Sequence, residues 1–164
     1  MSFTNSLSRI VAKLDKFPKF MRSWVLTKAI GNKVKMIGAC KVDIEYMRFE
    51  ESRLRLKNRT RVQNHIGGIH ACGATLLAES ATGLVVGMNV PDSSVPVIKS
   101  INVKFVKRMQ GNLLAVASLS EQQMQQVRTT EKGEMTIPIK ITDDSGQEPV
   151  ICDMVWAWVP KKQN

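Results

Sequence analysis

Aromatic residues are scarce: one tyrosine, three tryptophans and five phenylalanines make up 5% of 164 residues. Spread through the chain without a pattern, they form no stacking platform for single-stranded nucleic acid. Histidine is rarer still, at two, and nothing resembles the clustered ligands of a zinc site. Cys40, Cys72 and Cys152 lie far apart with no CxxC spacing. In apolar surroundings they read as reduced core residues of an intracellular, cytoplasmic protein. No run reaches the ~18 apolar residues that a membrane span requires. There is also no internal repeat, no linker long enough to divide the chain and no compact hydrophobic segment of the secretory type.

Acid is short at one end only. Residues 1–62 hold 15 Lys/Arg against 5 Asp/Glu, whereas residues 63–164 hold 9 against 9. The net charge of +10 is therefore a property of the N-terminal third. Such a field suits nucleic acid, an anionic membrane face or a phosphate-bearing ligand, and it also serves solubility. With no nucleic-acid motif beside it, a nucleic-acid partner is not expected.

The apolar fraction of 43% over this length supports one domain with a real core. Apolar residues at three- and four-residue spacing predict two basic amphipathic helices, about 4–16 and 19–30, interrupted by Pro18 and ended by Gly31-Asn32. They read as a layer packed on the domain or lining its ligand entrance; contact with a membrane surface and a targeting role are the alternatives. Partial alternation predicts strands near 34–46 and 52–58. Four more are expected at 97–107, 112–120, 132–142 and 148–159, with Gln122–Gln126 as a strand end or bulge. Asp143-Asp144-Ser145-Gly146 is a turn joining the last two as a hairpin. Residues 161–164 look like a disordered tail.

Between the two groups of strands lies the stretch from Asn64 to Pro91. A glycine-containing loop carries Asn64, His65, Gly67, Gly68 and His70, and a helix of about five turns follows, apolar on every side. Its one acid is Glu79. A carboxylate there is costly unless it is paired, hydrogen-bonded or facing a cavity, which makes Glu79 the leading functional candidate. The plainer alternative is a narrow polar strip shared with Thr75 and Thr82. A single apolar helix is best covered by a curved, largely antiparallel sheet, an α+β arrangement that leaves free edges for a partner subunit. By this reading residues 1–32 are added helices and 33–160 the domain.

The stretch Asn64-x-x-Gly67-x-x-His70-Ala71-Cys72-x-x-x-Leu76-Leu77-Ala78-Glu79 resembles the hotdog-fold acyl-CoA thioesterases, in particular the phenylacetyl-CoA and hydroxybenzoyl-CoA branch. There a polar residue, a glycine and His-Gly-Gly lead into the central helix, and an acid lies eight residues after the first glycine of that pair. Asn64, His70, Ala71 and Glu79 occupy the matching positions; His-Gly-Gly is His70-Ala71-Cys72 here. The resemblance implies a hotdog fold and hydrolysis of an acyl-CoA or acyl-carrier thioester. The Ala71 N–H would polarise the carbonyl, Glu79 would act as base or nucleophile, and Asn64 and His70 would support the site. Alanine keeps the N–H, while Cβ atoms at 71 and 72 narrow the approach. Cys72, Thr75 and Thr82 would line the acyl pocket beside Gly67 and Gly68. Arg59, Arg61, Lys104, Lys107 and Arg108 are candidates for the phosphates of coenzyme A. No metal or cofactor is implied apart from coenzyme A as part of the substrate.

Eight residues of helix separate positions 71 and 79 by about 12 Å, so both reach one carbonyl only if two antiparallel helices face each other. A homodimer, or a dimer of dimers, is therefore expected. The apolar face of residues 3–25 would cover a long aliphatic acyl chain. Rival readings are a catalytically silent acyl- or lipid-binding hotdog protein and a hydratase, whose His-Asp pair is missing. A covalent Cys72–His70 mechanism is a further alternative.

Overall fold

The computed structural model describes residues 3–162. In chain order come α1 (Ser6–Leu14), α2 (Lys19–Lys33), α3 (Lys35–Cys40), β1 (Asp43–Met47), β2 (Glu51–Leu56), α4 (Ala71–Asn89), β3 (Ser94–Phe105), β4 (Leu113–Ser118), α5 (Glu121–Thr129), β5 (Gly133–Ile137), β6 (Ile139–Asp143) and β7 (Val150–Pro160). The strands form one antiparallel sheet in the order β1-β2-β4-β6-β7-β3, with β5 also pairing with β7. The sheet curves around α4, which packs on β2, β4, β7 and β3. This is the hotdog fold.

The reason for the wrap lies in α4 itself. Ala74, Leu77, Ala78, Ala81, Val85 and Val86 have no exposed surface, and burying side chains of this kind contributes about 1.5–3 kcal/mol for each large one. The helix is long and apolar enough to cross a membrane by composition, but here the sheet is its apolar surrounding. Burial is not complete all round, as the sequence suggested. Ala71, Cys72, Thr75, Leu76, Glu79 and Gly83 are exposed or half-buried. At 100° per residue they form one stripe with Glu79 at its middle.

The two edges of the sheet differ. β1 is covered by α2, whose Ser23 hydroxyl donates to the Ile44 carbonyl (2.8 Å) and whose Thr27 hydroxyl accepts the Ile44 N–H (2.7 Å). β3 pairs with β7 alone and exposes Val95, Val97, Ile101 and Phe105. An edge so long and apolar is a template for another strand.

Several elements depart from the sequence reading. The expected strand at 34–46 is α3 followed by β1, and α2 continues through Gly31 to Lys33. Gly31 and Gly38 are in backbone contact, so that a Cβ on Gly38 would lie 2.6 Å from the Gly31 carbonyl oxygen. The polar tract at 122–126 is a helix, α5, opened by a capping box in which Ser120 and Gln123 satisfy each other's backbone N–H. The single strand at 132–142 breaks at Pro138 into β5 and β6.

The apolar face of residues 3–25 is divided. Leu7 and Val11 pack on the core, while Phe17, Phe20 and Trp24 point outward. Lys161 is tied to the body by its N–H to Ser93 (2.9 Å), and residues 163–164 of the expected tail lie outside the described residues. All three cysteines are free, but Cys72 is exposed rather than in the core and Cys40 and Cys152 are half-buried. Burial pushes the Cys152 thiol up to about 11.

Candidate active site

The loop before α4 is shaped by Asn64. Its side-chain carbonyl accepts the N–H groups of Ile66 (3.0 Å) and Gly68 (3.1 Å), and its backbone N–H donates to the Gly68 carbonyl (2.8 Å). Gly67 sits at φ +78, where an L side chain is strained, and its carbonyl is held by the Asn58 amide at 3.0 Å. The loop closes when the His70 N–H reaches the Val62 carbonyl at 2.7 Å.

His70 then caps α4. Its Nδ1 accepts the Cys72 N–H at 3.0 Å, and its carbonyl takes the Gly73 and Ala74 N–H groups. Of the four N–H groups that a helix start leaves without intrahelical partners, only that of Ala71 has no acceptor among the described residues. Ala71 borders a cleft of about 240 Å³ lined also by Asn64, Ile66, Gly68, Ile69, Phe105, Lys107, Arg108 and Met109. A donor at a helix N-terminus, backed by the field of the whole helix, is suited to an oxygen that gains negative charge.

Glu79 is half-buried in the middle of the uncovered stripe. Loss of hydration raises its pKa above the ordinary carboxylate value, and a weak contact from the Ser80 hydroxyl (3.4 Å) opposes the shift only in part. No cation pairs with it among the described residues. A carboxylate so placed is a stronger base than a solvated one.

The other candidates separate into groups. Asn64, Gly68, Ala71, Lys107 and Arg108 share the cleft, and Gly67 continues with Gly68 and Arg108 into an adjoining open groove. His70 and Cys72 border a second hollow of about 220 Å³ with Arg61 and Leu76. Of the two positions that are glycine in the resembling enzymes, therefore, only Ala71 borders the first cleft. Arg61 is partly engaged, donating to the Ala39 carbonyl at 3.0 Å, and Arg59 lines a third groove under α2 and α3. Lys104 lies exposed on the edge strand β3. Thr75 belongs to the stripe and donates back to the Ala71 carbonyl at 3.0 Å. Thr82 follows Glu79 by three residues on the same side of the helix, but it is fully buried and bonds the Trp156 indole N–H at 2.9 Å. It therefore belongs to the core and not to an exposed polar strip with Glu79.

Sequence reasoning missed the far wall of the cleft, Phe105 and Met109, and what holds it. Asp143 accepts the Gln110 N–H (3.0 Å) and Asp144 the Asn112 N–H (2.8 Å). The Asp-Asp turn thus anchors the segment carrying Lys107 and Arg108. Burial alone would raise the Asp143 pKa, but hydrogen bonds from Ser145, Gln110 and Gln147 hold it below the usual range.

Comparison with known proteins gives a family match and a set of similar folds. The family model described as Domain of unknown function (DUF4442) matches residues 22–159. A Pseudomonas aeruginosa protein of unknown function, described as a probable thioesterase, has a similar structure (TM-score 0.75, 19% identity, 84% of this chain and 95% of that one). So do a thioesterase from Haemophilus influenzae (TM-score 0.65, 13% identity, 79% and 85%) and a mutant thioesterase from Staphylococcus aureus (TM-score 0.64, 16% identity, 77% and 99%). At these identities the likeness is one of fold. No curated protein matches the chain.

Proposed function

Because the chain belongs to the family of Domain of unknown function (DUF4442), a family without an assigned activity, its chemistry has to be argued from the site, and we propose that it is a thioester hydrolase acting on acyl-CoA or acyl-carrier thioesters. The observation that carries the reading is the pairing, on one helix, of an N-terminal N–H and a half-buried carboxylate that have no partner among the described residues, the first belonging to a residue that borders a cationic-walled cleft. The solved thioesterases of the same fold support it. Lys107 and Arg108, on the wall of the cleft, would meet the phosphates of a coenzyme A or phosphopantetheine arm.

In the reaction the thioester oxygen would sit against the Ala71 N–H while Glu79 takes a proton from water, or attacks the carbonyl carbon directly. The thiolate leaves as the tetrahedral centre collapses. One chain cannot do this alone, since residues 71 and 79 are about 12 Å apart along the axis. Two copies meeting along β3 would bring a second α4 antiparallel to the first across the uncovered stripe. Each site would then combine the N–H of one subunit with the carboxylate of the other. The Asn64 carbonyl is spent on the loop, so the group left to touch substrate or water is its amide NH₂, which makes Asn64 a donor in the cleft.

Hydrolysis assays on a panel of acyl-CoA esters test the reading, with Glu79→Gln as the decisive variant. Loss of a positioned base costs on the order of 10²–10⁴ in rate. Equal rates for the wild type and E79Q would end the proposal and favour a non-catalytic acyl-binding protein.

A further inference from the structure

The N-terminal helices carry a surface that hydrolysis does not use. Phe20 and Trp24 are 84% and 62% exposed, one turn apart on α2, with Phe17 exposed just before them and Lys28 one turn further on. Large apolar side chains this open usually mark a surface meant to be covered. The charge around them is predominantly positive. Residues 3–42 hold nine Lys/Arg and a single acid, Asp15, which already pairs with Arg22 and Arg48. Lys13, Lys16, Lys19, Lys28 and Lys35 form no ion pair among the described residues. Beside Trp24 lies a groove of about 490 Å³ whose lining adds Lys41 and Arg59 to Lys28 and Lys35, against one acid, Asp43, that pairs with Lys57.

We infer that this face docks the protein on an anionic phospholipid bilayer, with Phe20 and Trp24 entering the headgroup boundary and the unpaired lysines meeting lipid phosphates. Charge complementarity selects this occupant: aromatic side chains flanked by lysines fit an anionic lipid interface. A second copy would set one strongly cationic surface against another, which costs binding energy. Position agrees. α2 packs on β1 through Ser23 and Thr27, and β1 is the sheet edge opposite β3. The face therefore stays free when two copies join along β3.

Tryptophan fluorescence offers a direct reading, because Trp156 and Trp158 are buried and Trp24 is the exposed one. The full chain is mixed with vesicles of phosphatidylglycerol and phosphatidylcholine, or of phosphatidylcholine alone. A blue shift and co-sedimentation with the anionic vesicles only, weakening as salt rises, are expected. Phe20→Ser with Trp24→Ser should lower partitioning about ten-fold or more; co-sedimentation is the readout for this pair. Lys16→Glu, in the segment between α1 and α2, and Lys19→Glu, at the exposed start of α2, should each lower it about five-fold with thermal melting unchanged. The inference is overturned if no binding occurs at low salt, if both vesicle types bind alike or if neither pair of variants reduces binding. It is also overturned if F20S/W24S turns a dimer into a monomer, which would give the face to a second copy, or if DNA or RNA displaces the vesicles at equal phosphate.

Discussion

At the C-terminal end of α4 the Asn5 amide donates to the carbonyls of Gly87 (2.8 Å), Met88 (3.1 Å) and Val90 (2.7 Å), and the Arg128 guanidinium holds the Asn89 side chain beside them. At the N-terminal end the Ala71 N–H has no acceptor among the described residues, and Ala71 and Cys72 are exposed. One end of a single helix is closed by Asn5, just before α1, and by Arg128 of α5, while the other borders an open cleft. An uncapped carbonyl or N–H costs free energy when shielded from water, so a fold satisfies what it can. What it leaves unsatisfied, beside a cleft with cationic walls, is where the proposed reaction would seat the thioester oxygen.

Changes at the two ends should separate activity from stability. The largest effect is expected from Ala71→Pro. Proline is favoured at the first helical position, and His70, at φ -65 and ψ 145, already has the conformation that a residue before proline prefers. The variant removes the Ala71 N–H and little else. Turnover should fall on the order of 10²–10³-fold, with circular dichroism and melting temperature retained. At the closed end, Asn5→Ala should give the converse. It strips three carbonyls of their donor, which costs about 1–3 kcal/mol in urea unfolding, and leaves the turnover of the folded fraction unchanged.

The comparison can be sharpened with pH. On the proposed mechanism the raised pKa of Glu79 would place the rise of activity above the ordinary carboxylate range, because a base works only when deprotonated. For stability the sign is opposite. A carboxyl whose folded pKa is raised contributes stability below its unfolded pKa and loses it as pH rises through the folded one. E79Q should therefore melt no lower than the wild type at neutral pH while being inactive. Asp143 behaves in the reverse sense: its depressed pKa gives stability above its unfolded value that is lost as pH falls toward the folded one. Asp143→Asn should flatten acid unfolding in that window and loosen the Lys107–Arg108 wall, a modest effect.

How far the sequence could be read follows from range. The composition of α4 is local, as is the Asp143–Gly146 turn, so the core helix and the last hairpin were legible, and with them a sheet wrapped on a helix. α3 was not, because six residues are too few to show a helical period and Val34, Met36 and Cys40 imitate alternation. For α5 the signal was present in Ser120 and Gln123, a capping pair passed over because Gln122–Gln126 has little apolar character. The Thr82 role depends on Trp156, 74 residues away. Gly83 is small for the same reason, since a Cβ there would lie 2.6 Å from that indole. Of the site, the loop and the helical acid came from motif spacing. The Phe105–Met109 wall did not, because Asp143 and Asp144 position it across the fold.

The central claim is that each site borrows its carboxylate from a neighbouring copy, and mixed dimers of A71P and E79Q test it most directly. Either variant alone has both sites broken. If the N–H and the carboxylate come from different chains, a mixed dimer has one site with both defects and one intact, so co-refolding equal amounts should restore about a quarter of wild-type activity. Failure of the mixture to rise above either variant, under conditions where mixed dimers are shown to form, would place both groups in one chain and contradict the account.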